Sequence, residues 1–182
     1  MSALASVVLV LLTVSYGPGL RPVYAPHLRR HELGAERRAE QLASQLRRAA
    51  SLAGVELALL TALAVHESAL DHGRRSSAGA VGALQLLPAS PWGRGFRHAC
   101  KTGPRSHEKG SRSHEEWLNV LWGAYALRDG IRACRGHTGL GLGFYRSGKC
   151  VEGPRARNTL ELARLVRARL TKQPQSYIWN NH

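Results

Sequence analysis

Glu67-Ser68-Ala69-Leu70-Asp71-His72-Gly73-Arg74-Arg75-Ser76-Ser77-Ala78-Gly79-Ala80-Val81-Gly82-Ala83-Leu84-Gln85-Leu86-Leu87-Pro88 is the stretch whose reading decides what this chain is. It is entered from Leu57 to Val65, a run without charge and apolar on nearly every side, as expected of a helix buried in the centre of a domain. Glu67 closes that run, where a charged side chain has no generic reason to be. Desolvation by apolar neighbours and the negative end of a helix dipole both push a carboxyl group there toward its protonated form. A carboxyl kept neutral near neutral pH is a candidate general acid. From position alone the alternative is a Glu67 that faces solvent or pairs with Arg74 or Arg75. Gly73, Gly79 and Gly82, with two serines among them, mark 71–82 as a loop with room for a short hairpin.

Two other chemistries fail on spacing. His66-Glu67 lacks the second histidine of a zinc protease helix, because position 70 is Leu70 and His72 comes two residues too late. Asp71, one turn after Glu67, would put both carboxyls on one side of a substrate bond rather than flanking it. It reads as a solvated loop residue or an ion-pair partner.

After Glu67-Ser68 come Ser76, Gly79, Gly82 and Gln85 at three-residue steps, then Pro88. This block resembles, without a gap, the soluble lytic transglycosylase domain of bacterial and phage cell-wall enzymes, whose pattern is E-S, then S-x-x-G-A-x-G-L-M-Q, then P. The family's next element, Asn followed four residues later by Gly on a helix, is similar to Asn119 and Gly123. Its final Ala-Tyr-Asn-Ala-Gly turn is similar to Phe144-Tyr145-Arg146-Ser147-Gly148, with Arg146 standing where the family has Asn. Leu84 replaces the usual Met, and Ser90 the usual Thr. The resemblance spans roughly residues 39–148.

The resemblance implies a mostly helical, lysozyme-like α+β fold with a small β element and a glycan-binding cleft. It implies Glu67 as the single catalytic acid and base, with Ser76 and Gln85 lining the cleft and Tyr145 beside Glu67. Gly79 and Gly82 would let the backbone turn closely under the sugar, and Asn119 would contact substrate. The implied reaction cleaves the MurNAc-β-1,4-GlcNAc bond of peptidoglycan and leaves a 1,6-anhydro end, with no metal or cofactor. A muramidase on the same fold and a non-catalytic peptidoglycan-binding envelope protein are the alternatives.

Working outward, 35–53 reads as a basic amphipathic helix with Leu42, Leu46, Ala49, Ala50 and Ala53 on its apolar stripe, stopped by Gly54. Residues 90–114 are polar, basic and rich in Gly, Pro and His, and read as a long surface excursion or flap. A helix is expected over about 115–133, with Glu115 and Glu116 in its first turn, and a short helix or turn over 139–145. A last helix is expected to start near Asn158 as N-cap.

The chain has 182 residues, 43% apolar, which suits one globular domain and excludes a wholly disordered chain. Its formal charge of +14 calls for a polyanionic partner. Together with the resemblance, that partner is expected to be peptidoglycan strands and anionic envelope polymers rather than nucleic acid, for which no reading helix or aromatic platform is recognisable. A monomer is expected. Ala3 to Leu12 is an uncharged apolar run followed by Val23-Tyr24-Ala25, so 1–25 reads as a signal peptide or N-terminal anchor. The domain then covers 26–172 and a tail 173–182, in an exported, periplasmic or envelope-associated protein, or a phage-encoded one acting on its host's wall. In an exported chain, Cys134 and Cys150 are the preferred disulfide because they bracket a Gly-rich segment; pairings with Cys100, or three reduced thiols, stay open.

Overall fold

A computed structural model describes residues 32–102 and 112–172. The expected signal segment 1–25 and the tail 173–182 lie outside the described residues, as does the stretch 103–111 of the expected excursion. The described residues form six helices: α1 (Glu32–Ala53), α2 (Leu57–Ser68), α3 (Pro91–Thr102), α4 (Arg112–Ala133), α5 (Thr138–Ser147) and α6 (Pro154–Lys172). The fold is predominantly helical.

α2 is the axis. Every residue from Ala58 to Ala64 is buried, which a helix without a polar face requires. α1 and α6 pack on it, α4 packs on α1, and α3 and α5 pack on α4. The α1 stripe of Leu42, Leu46, Ala49, Ala50 and Ala53 is fully buried in this core, joined by Val120, Ala124 and Leu127 of α4. Burying each leucine there stabilises the fold by roughly 1.5–3 kcal/mol.

α2 ends immediately after Ser68. Ala69 and Leu70 both take left-handed backbone angles, φ 56° and 65°. The Leu70 amide reaches back to the Ala64 carbonyl and the Ala69 amide to that of Val65, which satisfies the last turn of the helix. Neither residue is glycine, so this stop is held against a cost of about 1–2 kcal/mol per residue. Part of the hold is Ser68, whose hydroxyl donates to the Ala83 carbonyl at 2.8 Å and accepts from the Asp71 amide.

Among the described residues the expected β element is reduced to two isolated bridges, Arg75 with Val81 and Val81 with Leu86. Gly79 and Gly82 interrupt the run at φ +82° and +78°, so no ladder of extended residues can form. The expectation of a surface excursion over 90–114 is corrected where the chain is described, since 91–102 is helix α3. Its start carries a signal the composition masked: the Ser90 hydroxyl accepts from the Gly93 amide at 3.0 Å as an N-cap, and Pro91 occupies the first helical position. Its glycines are packing sites. A Cβ on Gly93 would lie 2.0 Å from the Leu87 carbonyl oxygen, and one on Gly95 2.5 Å from the Trp122 ring.

The expected start of α6 is also corrected: the helix begins at Pro154 rather than near Asn158, which lies inside it. α5 is helical despite three glycines. Each costs about 1 kcal/mol in a helix interior. Two of them are required by close approach: a Cβ on Gly141 would meet Ile131 of α4 at 2.6 Å, and one on Gly143 would meet the Val151 carbonyl at 1.8 Å. Cys134 and Cys150 are joined by a disulfide that spans α5, and Cys100 is free.

Candidate active site

The end of α2, the 74–87 loop, the start of α3 and the end of α5 enclose a cleft of about 720 Å³. Glu67 sits in its wall with its side chain only 12% exposed. Burial pushes the Glu67 carboxyl above the usual carboxylate range, and the positive charges of Arg146 and Arg155 oppose that push without cancelling it. The Arg146 guanidinium lies 3.2 Å from Glu67 Oε1, yet that buried oxygen accepts no hydrogen bond. The partner of Glu67 is therefore Arg146, not Arg74 or Arg75. Among the described residues lining the cleft, Glu67 is the only carboxylate.

Tyr145 stands beside Glu67. Its hydroxyl donates to the Leu84 carbonyl, and burial followed by the Glu67 charge raises its pKa well above the ordinary value. A phenol so held stays protonated and ties α5 to the 82–86 loop. Gln85 lines the cleft with its Nε2 donating to the carbonyls of Gly82 at 2.8 Å and Arg74 at 3.1 Å, so its amide braces the loop from within. Gln85 also holds a left-handed φ of 46°. Ser76 lines the cleft too, its hydroxyl oxygen accepting from the Ala80 amide at 3.0 Å, which leaves its proton available.

Gly79, Gly82 and Asn119 are placed differently from a substrate-contact role. None of the three lines this cleft. Asn119 is 2% exposed, accepts from the Leu84 amide at 3.1 Å and donates to the Val81 carbonyl at 2.9 Å. Both ends of its amide are spent on the loop. A Cβ on Gly82 would meet the Asn119 amide at 2.3 Å, and one on Gly123, a turn further along α4, would meet Leu84 Cδ1 at 2.3 Å. The Asn119/Gly123 pair is thus a socket for Gly82 and Leu84, which fixes the loop that carries Ser76 and Gln85. Gly79 has open space where a Cβ would go, so its left-handed φ alone demands glycine.

Asp71 points away from this chemistry, its Oδ1 accepting from the Gly73 amide in an exposed turn. Sequence reasoning missed two sets of lining residues. Trp92 forms part of the wall, its indole N–H donating to Asp129 at 3.1 Å and its ring edge-on to Phe144 at 6.4 Å. A Ser-Pro-Trp start to a helix was the available signal. Arg74, Arg146 and Arg155 make the cleft strongly basic, and no local pattern brings Arg155 from the first turn of α6 to Glu67.

A buried carboxyl biased toward its neutral form can deliver a proton to an acceptor in the cleft and take one back. No protein-family model matches this chain, and no curated protein sequence matches it.

Proposed function

We propose that this protein is a peptidoglycan lytic transglycosylase on a lysozyme-like fold, with the cleft around Glu67 taking a glycan strand. The observation that carries this reading is a lone carboxyl in the lining, 12% exposed and raised in pKa by burial, where a sugar-sized groove meets the end of a buried helix. Glu67 protonates the bridging oxygen as the C1–O bond of the muramic residue breaks. The C6 hydroxyl of that same residue closes on C1, and the ionised Glu67 takes the proton that hydroxyl releases, while its own proton leaves on the departing sugar. The nucleophile is tethered to its target, so no second carboxylate has to hold a water, and such tethering supplies effective molarities of roughly 10⁵ M or more. Gln85, its Nε2 engaged in the loop, turns its carbonyl oxygen to the acetamido groups, with the Ser76 hydroxyl as donor and Trp92 as the apolar wall. Action at the envelope, as an exported enzyme or a phage enzyme on its host's wall, belongs to the same reading, as does binding to anionic wall polymers through the chain's +14 charge.

One observation favours a second reading. The Arg146 guanidinium beside Glu67 supports the ionised carboxylate, as a glycan-binding envelope protein without turnover would tolerate. Digestion of purified sacculi decides between them. Wild-type protein is expected to release anhydromuropeptides, one water lighter than hydrolase products, and Glu67→Gln to be at least about a hundredfold slower. Products carrying the extra water indicate a muramidase, and sacculi left intact by both proteins leave only binding.

A further inference from the structure

Three guanidinium groups line the cleft against one carboxylate, so the groove stays positive even when Glu67 is ionised. Of the three, Arg146 is engaged with Glu67. Arg155 acts on Glu67 through its charge, but its guanidinium has no hydrogen-bond or ion-pair partner among the described residues. It projects from the first turn of α6, whose opening residue, Pro154, has no amide hydrogen and whose dipole end is positive. A neutral sugar lying across this wall would strip water from Arg155 and offer no opposite charge in return, an unfavourable arrangement. A carboxylate would accept from its planar fork in the bidentate manner arginine favours.

We propose that Arg155 and Arg146 form a carboxylate subsite beside Glu67, so that the cleft selects glycans bearing a carboxyl group over neutral polymers of N-acetylglucosamine. The inference rests on the glycan reading of the cleft and names the part of the ligand that reading leaves open. The carboxylate has two sources: the lactyl group of N-acetylmuramic acid in strands stripped of peptide, or the stem peptide in strands that carry it. The arginine at position 146, where the resembling family has asparagine, makes this a property of this chain rather than of the pattern.

The experiment is calorimetric binding to the full-length Glu67→Gln protein, which keeps the ligand intact. The probes are chitotetraose, a peptide-free GlcNAc–MurNAc tetrasaccharide, the same tetrasaccharide methyl-esterified on its lactyl groups, and a peptide-bearing tetrasaccharide. The expected result is binding of a carboxylated tetrasaccharide at least tenfold tighter than chitotetraose, weakening with salt and falling to the chitotetraose level in Glu67→Gln/Arg155→Ala. Preference for the peptide-free ligand assigns the lactyl group, and preference for the peptide-bearing one alone assigns the stem peptide. Esterification without effect on the peptide-free ligand, together with unchanged affinities in the Arg155→Ala background, overturns the subsite. Sacculus digestion by wild type reports separately: digestion without carboxylate preference removes the subsite and leaves the enzyme, whereas preference without digestion does the reverse.

Discussion

The Arg146 guanidinium lies 3.2 Å from a Glu67 oxygen that is buried and accepts no hydrogen bond. The two side chains come from helices far apart in sequence and meet in the cleft wall. Their charges attract, yet desolvation outweighs the attraction and Glu67 remains easier to protonate than a free carboxylic acid. The pair sets the balance on which the proposed proton transfer by Glu67 depends.

Replacing Arg146 by the asparagine of the resembling family removes a positive charge from that balance. The Glu67 pKa is expected to rise further, because the ionised form loses its nearest compensation. In a pH–rate profile on sacculi, the alkaline limb, which reports loss of the acid form, should move to higher pH in Arg146→Asn. A limb that stays in place would separate Arg146 from the acid.

His72 offers a second pH test, on stability. Burial lowers its pKa to about 4 from 6.5, and the Asp71 charge opposes this only in part. The unfolded chain then binds the proton more readily than the folded one. Stability is full above pH 6.5 and is lost as pH falls toward about 4. His72→Gln should flatten that portion of a urea-denaturation profile taken across the same pH range.

The socket on α4 is testable by mutation. Asn119→Ala strands the buried Leu84 amide and removes one of the two donors to the Val81 carbonyl, which keeps the Leu86 amide, and is expected to cost about 1–3 kcal/mol by chemical denaturation. Gly82→Ala meets both a left-handed φ and a contact at 2.3 Å, so about 3 kcal/mol is expected. Both should weaken glycan binding as well as sacculus digestion, since they release the loop that carries Gln85 and Ser76.

Reducing the Cys134–Cys150 disulfide frees the segment that carries Tyr145 and Arg146. For the 16-residue separation it spans, chain entropy gives a loss of roughly 3 kcal/mol. Thermal melting with and without reductant measures it, and Cys100→Ser, which lies outside the bridge, should melt like wild type under oxidising conditions.

Much of the helical framework was legible because its signals are local. The α1 stripe, the uncharged α2 and the acidic first turn of α4 each declare themselves within a few turns of chain. Two boundaries were misplaced at prolines that open helices: Pro91 sat in a segment whose Gly, Pro and His content suggested an excursion, and Pro154 was passed over for Asn158 as a later N-cap. Glycine in α3 answers a close neighbour, Trp122 or the Leu87 carbonyl, and no neighbour is visible from composition.

The amino-acid order by itself determined that a carboxyl group ends a helix with no polar face, because a run such as Leu57 to Val65 can only be buried and Glu67 is bound to its end. It also marked 71–82 as a loop through Gly73, Gly79 and Gly82. Which charges reach that carboxyl was decided in three dimensions. Arg146 and Arg155 arrive from α5 and α6, held there by a disulfide and by glycine-mediated contacts, and Coulomb energy depends on that distance rather than on separation along the chain. The folding of Asn119 into the underside of the loop was decided the same way, since a buried amide must find its partners among the backbone groups that packing brings to it.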